Sequence, residues 1–116
     1  MLNPNLLEST SDFYGKVYDL VALIPYGRVT TYGAIAKALG SAKSSRLVGI
    51  AMNHSHELRP GLPAHRVVNR NGLLTGKHHF TGRFTMEQLL NQERIKVTDD
   101  QIFDFASVYW DPLTDL

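Results

Sequence analysis

Thr30-Thr-Tyr-Gly-Ala-Ile-Ala-Lys-Ala-Leu-Gly-Ser-Ala-Lys-Ser-Ser-Arg-Leu-Val-Gly-Ile-Ala-Met-Asn53 holds two helical patterns separated by a glycine-bearing turn. Thr31 is an N-cap residue, because its hydroxyl can accept a bond from an orphan amide of a first helical turn. It predicts a short helix over residues 32–39, with Ile35, Ala36 and Leu39 on the buried side. Gly40 can take the left-handed conformation that ends such a helix. After Ser41, Ala42 and Lys43 a second helix is expected from Ser44 or Ser45 to about Asn53. Two short helices joined by a glycine-bearing turn read as a helix-turn-helix, the second being the recognition helix. Any αα-hairpin shares this pattern, so it places the elements without fixing the function.

The second helix is rich in small side chains: Ser44, Ser45, Gly49 and Ala51, with Arg46 near its start. A glycine inside a helix costs about 1 kcal/mol against alanine. Either another helix packs closely there, or a smooth face is kept for a narrow groove.

Upstream, Phe13, Val17, Leu20, Val21 and Ile24 recur at helical spacing and make one apolar stripe. Ser11 is the expected cap, and residues 12–24 the expected helix, after a loose segment over 1–10. Pro25-Tyr26-Gly27 then turns the chain. Downstream, residues 54–62 read as a polar loop. Asn71-Gly72, between Val67-Val68 and Leu73-Leu74, is a hairpin signal. Residues 75–84 are basic, glycine-bearing and partly aromatic, and read as a mobile loop. Thr85 and Gln88 form a capping box for a helix to about Arg94, with Met86, Leu89 and Leu90 inward. The last stretch mixes acids with Phe103, Phe105, Tyr109 and Trp110. So many aromatics predict a tail, 98–116, packed back on a core of 12–97.

The 116 residues suit one domain, 1–116. There is no cysteine, which excludes disulfides, thiolate metal sites and a cysteine nucleophile. His54 and His56 lack a further ligand at metal spacing, and His78 and His79 are adjacent, so no metal and no cofactor is expected. No run has the length of a membrane span and no signal peptide is legible. The expected protein is a cytoplasmic monomer, nucleoid-associated if bacterial. Net charge is +1, but it is unevenly placed. Residues 25–96 carry eleven Lys and Arg against three Glu, while 97–116 carry five Asp and no base. A basic middle between acidic ends suits a polyanion bound on one face, or a solvated surface with an acidic tail.

One further motif carries chemistry: Leu62-Pro-Ala-His-Arg-Val-Val68. It closely resembles the Pro-Cys-His-Arg-Val active-site motif of the O6-alkylguanine-DNA alkyltransferases. The block Ile24-Pro-Tyr-Gly-Arg-Val-Thr-Thr-Tyr-Gly-Ala-Ile-Ala36, the block Ser45-Arg-Leu-Val-Gly-Ile-Ala-Met52, and Leu89-Leu90 with Glu93 resemble the same family in order and spacing. Ala64 stands at the nucleophile position, and alanine has no lone pair to accept an alkyl group. The pattern is similar to that of the alkyltransferase-like proteins, and Tyr109-Trp-Asp-Pro112 resembles the C-terminal extension of some of them.

The resemblance implies a mainly α, winged-helix-like helix-turn-helix DNA-binding domain with a short β-hairpin, and a protein that is not an enzyme. It implies minor-groove contact through Ser45 and Gly49. Arg46 would fill the gap left by a flipped guanine, and Tyr32 would help rotate the target phosphate. Pro63, Ala64, His65, Val67 and Lys77 would form the lesion pocket, with Lys77 over the base and His65 and Glu93 as a residual proton relay. The family asparagine between recognition helix and pocket is not matched; Ser55 falls near its place. The implied partners are double-stranded DNA containing O6-alkylguanine and nucleotide excision repair proteins. A pocket enlarged by alanine would admit larger adducts. Two other classes remain open: a helix-turn-helix transcription regulator without lesion specificity, and an enzyme using His65 or another histidine.

Overall fold

The computed structural model describes residues 4–41 and 44–116, with side chains from residue 12 onward. Helix α1 is Pro4–Val21, followed by strand β1 (Thr30–Thr31), α2 (Tyr32–Ala38), α3 (Ser45–Asn53) and α4 (Ser55–Leu58). After a 3-10 turn, Ala64–Arg66, come β2 (Val67–Val68), a second 3-10 turn (Lys77–His79), α5 (Met86–Gln92), the strands β3 (Val97–Thr98) and β4 (Gln101–Ile102), and α6 (Phe105–Val108). The domain is mainly helical, and α2 and α3 form the helix-turn-helix.

Local signals place the helices. The Thr31 hydroxyl accepts from the Ala34 amide at 3.0 Å and starts α2. Gly40 follows that helix at φ +78°. The Thr85–Gln88 capping box closes in both directions and starts α5. Two expectations need correction. Helix α1 begins at Pro4, not Asp12, and runs through Ser11 to Val21 rather than to Ile24. Proline has a fixed φ and no amide to orphan, so it suits a first helical turn as well as Ser11 does. Residues 1–3 of the supposed loose segment, and residues 42 and 43 of the turn, lie outside the described residues. The stretch 54–62 is not all loop, since it holds α4.

The short hairpin also lies elsewhere than expected. Asn71-Gly72 does turn the chain, with Gly72 at φ +78° and the Asn69 side chain accepting from the Asn71 and Leu73 amides. Its two arms find other partners. Val67 and Val68 pair in parallel with Thr30 and Thr31, while Leu73 bridges to Gln101. The hairpin is β3–β4, turned by Asp99 and Asp100, both left-handed. Two positive φ values are what a tight two-residue hairpin turn requires.

Strand β2 divides the interior. Adjacent strand residues point to opposite faces, so Val67 joins the cluster of α1, α2 and α3, and Val68 joins that of Met86, Leu90, Ile95 and Ile102. Phe80, from the stretch read as a mobile loop, packs on both clusters. The Tyr18 hydroxyl donates to the Ala51 carbonyl at 2.6 Å and ties α1 to α3. The tail lies along β1: Val29 bridges to Tyr109, the Trp110 amide donates to the Val29 carbonyl at 2.7 Å, and the Trp110 ring is buried in the first cluster. No helix among the described residues is long and apolar enough to cross a membrane.

Candidate nucleic-acid interface

Helix α3 buries Val48, Ala51 and Met52 and turns Arg46, Ile50 and Asn53 to solvent, with Ser45 and Gly49 half-exposed. A Cβ built on Gly49 would meet nothing within 4 Å among the described residues. Close helix packing therefore does not explain this glycine. The helix gives up about 1 kcal/mol there and leaves its outer face low. Arg46 takes part in no ion pair among the described residues.

Many of the other basic side chains are committed. Arg28 donates to the Val108 carbonyl at 3.1 Å and the Tyr109 carbonyl at 2.5 Å, and so holds the tail. Arg66 binds Glu93 and the Ile24 carbonyl. Arg59 pairs with Asp19 at the surface. The basic character of the middle segment thus overstates the charge it can offer a ligand.

Behind the helix-turn-helix, Ala64 opens the first 3-10 turn and floors a small cavity. Its volume is about 10 Å³, about the room one water needs. Tyr32, Asn53, Val67, His79 and Phe80 are among its walls. The Tyr32 hydroxyl lies 3.1 Å from where a Cβ of Gly76 would stand, so a side chain there would have to push this ring aside by a few tenths of an ångström.

His65 and Glu93 stand beside that floor. His65 Nε2 lies 2.5 Å from a Glu93 carboxylate oxygen. The same carboxylate accepts from the Gly27 amide at 2.7 Å and from Arg66 Nε at 3.0 Å. Burial pushes the Glu93 carboxyl up, but the bonds from Arg66, Gly27 and His65 overcome it and hold it below the usual carboxylate range. Burial pulls His65 below its ordinary value. Glu93 opposes that and Arg66 reinforces it, and the net shift is downward. A neutral His65 must donate from Nε2, because its partner is an ionised acceptor.

Both shifts make acid destabilising. Below about pH 6.5 the unfolded chain protonates this histidine while the folded chain resists. Stability falls further as pH drops through the Glu93 range. His56, held low mainly by burial and also by His79, adds in the same sense. The protein should therefore melt at a lower temperature at pH 5 than at pH 7. His65→Gln should reduce that difference without removing it; an unchanged difference would mean that His65 does not titrate on unfolding.

The structure brings Tyr32, Ala64 and Val67 to one cavity and places Ser45, Arg46 and Gly49 on one outer helix face. Pro63 leads the 3-10 turn and is half-buried. His65 lines a larger groove next door. Lys77 lies apart from these: its ammonium pairs with Asp100 at the surface, and it lines a separate cavity with Leu74 and Glu87. Ser55 is spent locally, its hydroxyl donating to the Met52 carbonyl at 2.7 Å. The sequence does not mark Asn53, Gly76, His79 and Phe80 as cavity walls, and His56, exposed as expected, lies on α4 rather than in a loop, where Phe80 meets it edge-on at 4.6 Å. No local pattern in the sequence marks those convergences.

Comparison with known proteins agrees with this geometry. Residues 12–95 match the family model for the 6-O-methylguanine DNA methyltransferase DNA-binding domain. The chain is 36% identical over 94 residues to alkyltransferase-like protein 1 of Schizosaccharomyces pombe, covering 81% of this chain and 86% of that one. It is 44% identical over 69 residues to the DNA base-flipping protein of Escherichia coli, covering 60% of this chain and 53% of that one. The crystal structure of S. pombe Atl1 with damaged DNA containing O6-carboxymethylguanine superposes with a TM-score of 0.72 at 33% identity, over 86% of this chain and 95% of that one.

Proposed function

The chain belongs to the 6-O-methylguanine DNA methyltransferase DNA-binding-domain family, and from that premise we propose that it binds O6-alkylguanine in duplex DNA without transferring the alkyl group. The observation that carries this reading is Ala64 on the floor of the cavity. Alkyl transfer needs an atom that can donate an electron pair to the alkyl carbon. A methyl side chain has none, and the chain has no cysteine elsewhere.

Around that floor the remaining parts suit lesion binding. The low outer face of α3, with Ser45 and Gly49, enters the minor groove. The damaged nucleotide rotates out of the stack toward Ala64. Flipping costs a few kcal/mol, and less where damage has already weakened pairing. Arg46 offsets part of that cost by stacking its planar cation in the gap. Tyr32 both opens α2 and lines the cavity, a position suited to guiding the nucleotide in. His65 and Glu93 have no nucleophile to activate, and order the pocket instead. A complex held without chemistry then marks the site for nucleotide excision repair.

Two matched duplexes test this at one near-physiological salt, since phosphate contacts make affinity salt-dependent. One carries a single O6-methylguanine and the other guanine. The lesion duplex should bind at least about tenfold tighter, with the intact masses of protein and DNA unchanged afterwards. Equal affinity would leave a general DNA binder or a transcription regulator. A protein heavier by one methyl group would reveal an acceptor other than position 64.

A further inference from the structure

Two cavities meet at His56, His79 and Phe80, which line both. The smaller lies over Ala64. The larger, about 410 Å³, runs past His65 to Arg83. Their lining is lopsided in charge. It holds three imidazoles and a guanidinium, and among the described residues not one carboxylate. The acids stand elsewhere. Glu57, beside His56 on α4, lines neither cavity, and Glu93 is already engaged by Gly27, His65 and Arg66.

We propose that this paired space is built for an O6 substituent that itself carries a carboxylate, with His56 and His79 as the residues that select it. The proposal rests on the lesion-binding reading above and names the class of lesion. In the empty protein partial burial and the neighbouring His79 hold His56 below its ordinary value, although the residue stays largely open to solvent. An anion within about 4–6 Å reverses that balance and favours the imidazolium, the proton coming from solvent. The titratable and aromatic groups that share these cavities with His56 are His79 and Phe80 from the second 3-10 turn and its end, His65 from the first, Tyr32 from α2, and Arg83 and Phe84 beyond. None of them is an acid that would satisfy the charge internally. A neutral methyl adduct gains nothing from this arrangement.

DNA phosphates are anions too, so the pH dependence of a single affinity does not discriminate. The ratio of two affinities does. Duplexes carrying guanine, O6-methylguanine or O6-carboxymethylguanine are titrated at pH 6 and pH 8 at constant ionic strength. The preference for carboxymethyl over methyl should rise about fivefold from pH 8 to pH 6, the size of a partly solvated ion pair. It should stay flat in the double variant His56→Gln, His79→Gln, and rise partway in each single variant. A wild-type ratio that does not change with pH overturns the proposal, and imidazole–phosphate contacts would give that result by strengthening all three duplexes alike. A rise that survives in the double variant overturns the assignment to these two residues. If neither adduct is bound better than guanine at either pH, the lesion reading itself fails. The guanine duplex makes that failure visible separately.

Discussion

Gly49→Leu should bind lesion-bearing duplex DNA about a hundredfold more weakly than the parent while resisting unfolding better. The two halves of this result have separate causes. Among the described residues nothing lies within 4 Å of the added Cβ, so the substitution starts from open space. Leucine is a better helix former than glycine by about 0.8 kcal/mol, and α3 should gain most of that. The same side chain stands on the outer face beside Ser45 and Arg46. A narrow groove admits that face only while it stays low, and a leucine holds the helix off the DNA. Arg46 then falls short of the base stack. Gly49→Ala should gain similar stability and lose less affinity. Chemical denaturation and a lesion-duplex titration on the same preparations check both halves. Unchanged affinity would show that α3 does not meet DNA by this face.

Glu93→Ala should cost about 3 kcal/mol of folding stability, because removing one partner of a buried ion pair strands the other. The Glu93 side chain is 6% exposed and that of Arg66 16%. Alanine would leave the Arg66 guanidinium, the Gly27 amide and the His65 ring without their shared acceptor. Glu93→Gln keeps the size and one acceptor oxygen and should cost less. The effect should reach the DNA-binding elements, since Gly27 lies in the turn that feeds β1 and α2. It adopts φ +79° there, and the Glu93 carboxylate fixes its amide. This gives Glu93 a structural purpose independent of any nucleophile. Urea unfolding measures the difference, and a loss below about 0.5 kcal/mol would mean that water reaches the network and replaces the carboxylate.

The legible parts of this protein are those whose causes are local. Thr31 caps α2 through an amide three residues on, and Thr85 does the same for α5. The apolar stripe identified the buried face of α1, although Pro4 moved its start. The helix-turn-helix and the outer face of α3 followed from such spacings. Ala64 was legible for a different reason: what an alanine cannot do is a property of the residue, whatever surrounds it.

The rest depended on partners tens of residues apart, which no local period records. Asn71-Gly72 turned as read, yet Val67-Val68 paired with Thr30-Thr31, because the turn leaves both arms free to take distant neighbours. Arg46 and Arg66 look alike in the sequence. Only the fold exposes the first and ties the second to Glu93. Lys77 pairs at the surface with Asp100, on the turn of the β3–β4 hairpin, a partner 23 residues away that no local pattern marks. His56 and His79 are 23 positions apart, and Phe80 brings them to one cavity by packing on both cores. Short-range bonding and side-chain chemistry made α2, α3, α5 and the alanine at position 64 readable without the fold. The tertiary structure decided which charges are spent, which are offered, and which imidazoles share a site, because burial and opposing partners exist only once the chain has closed on itself.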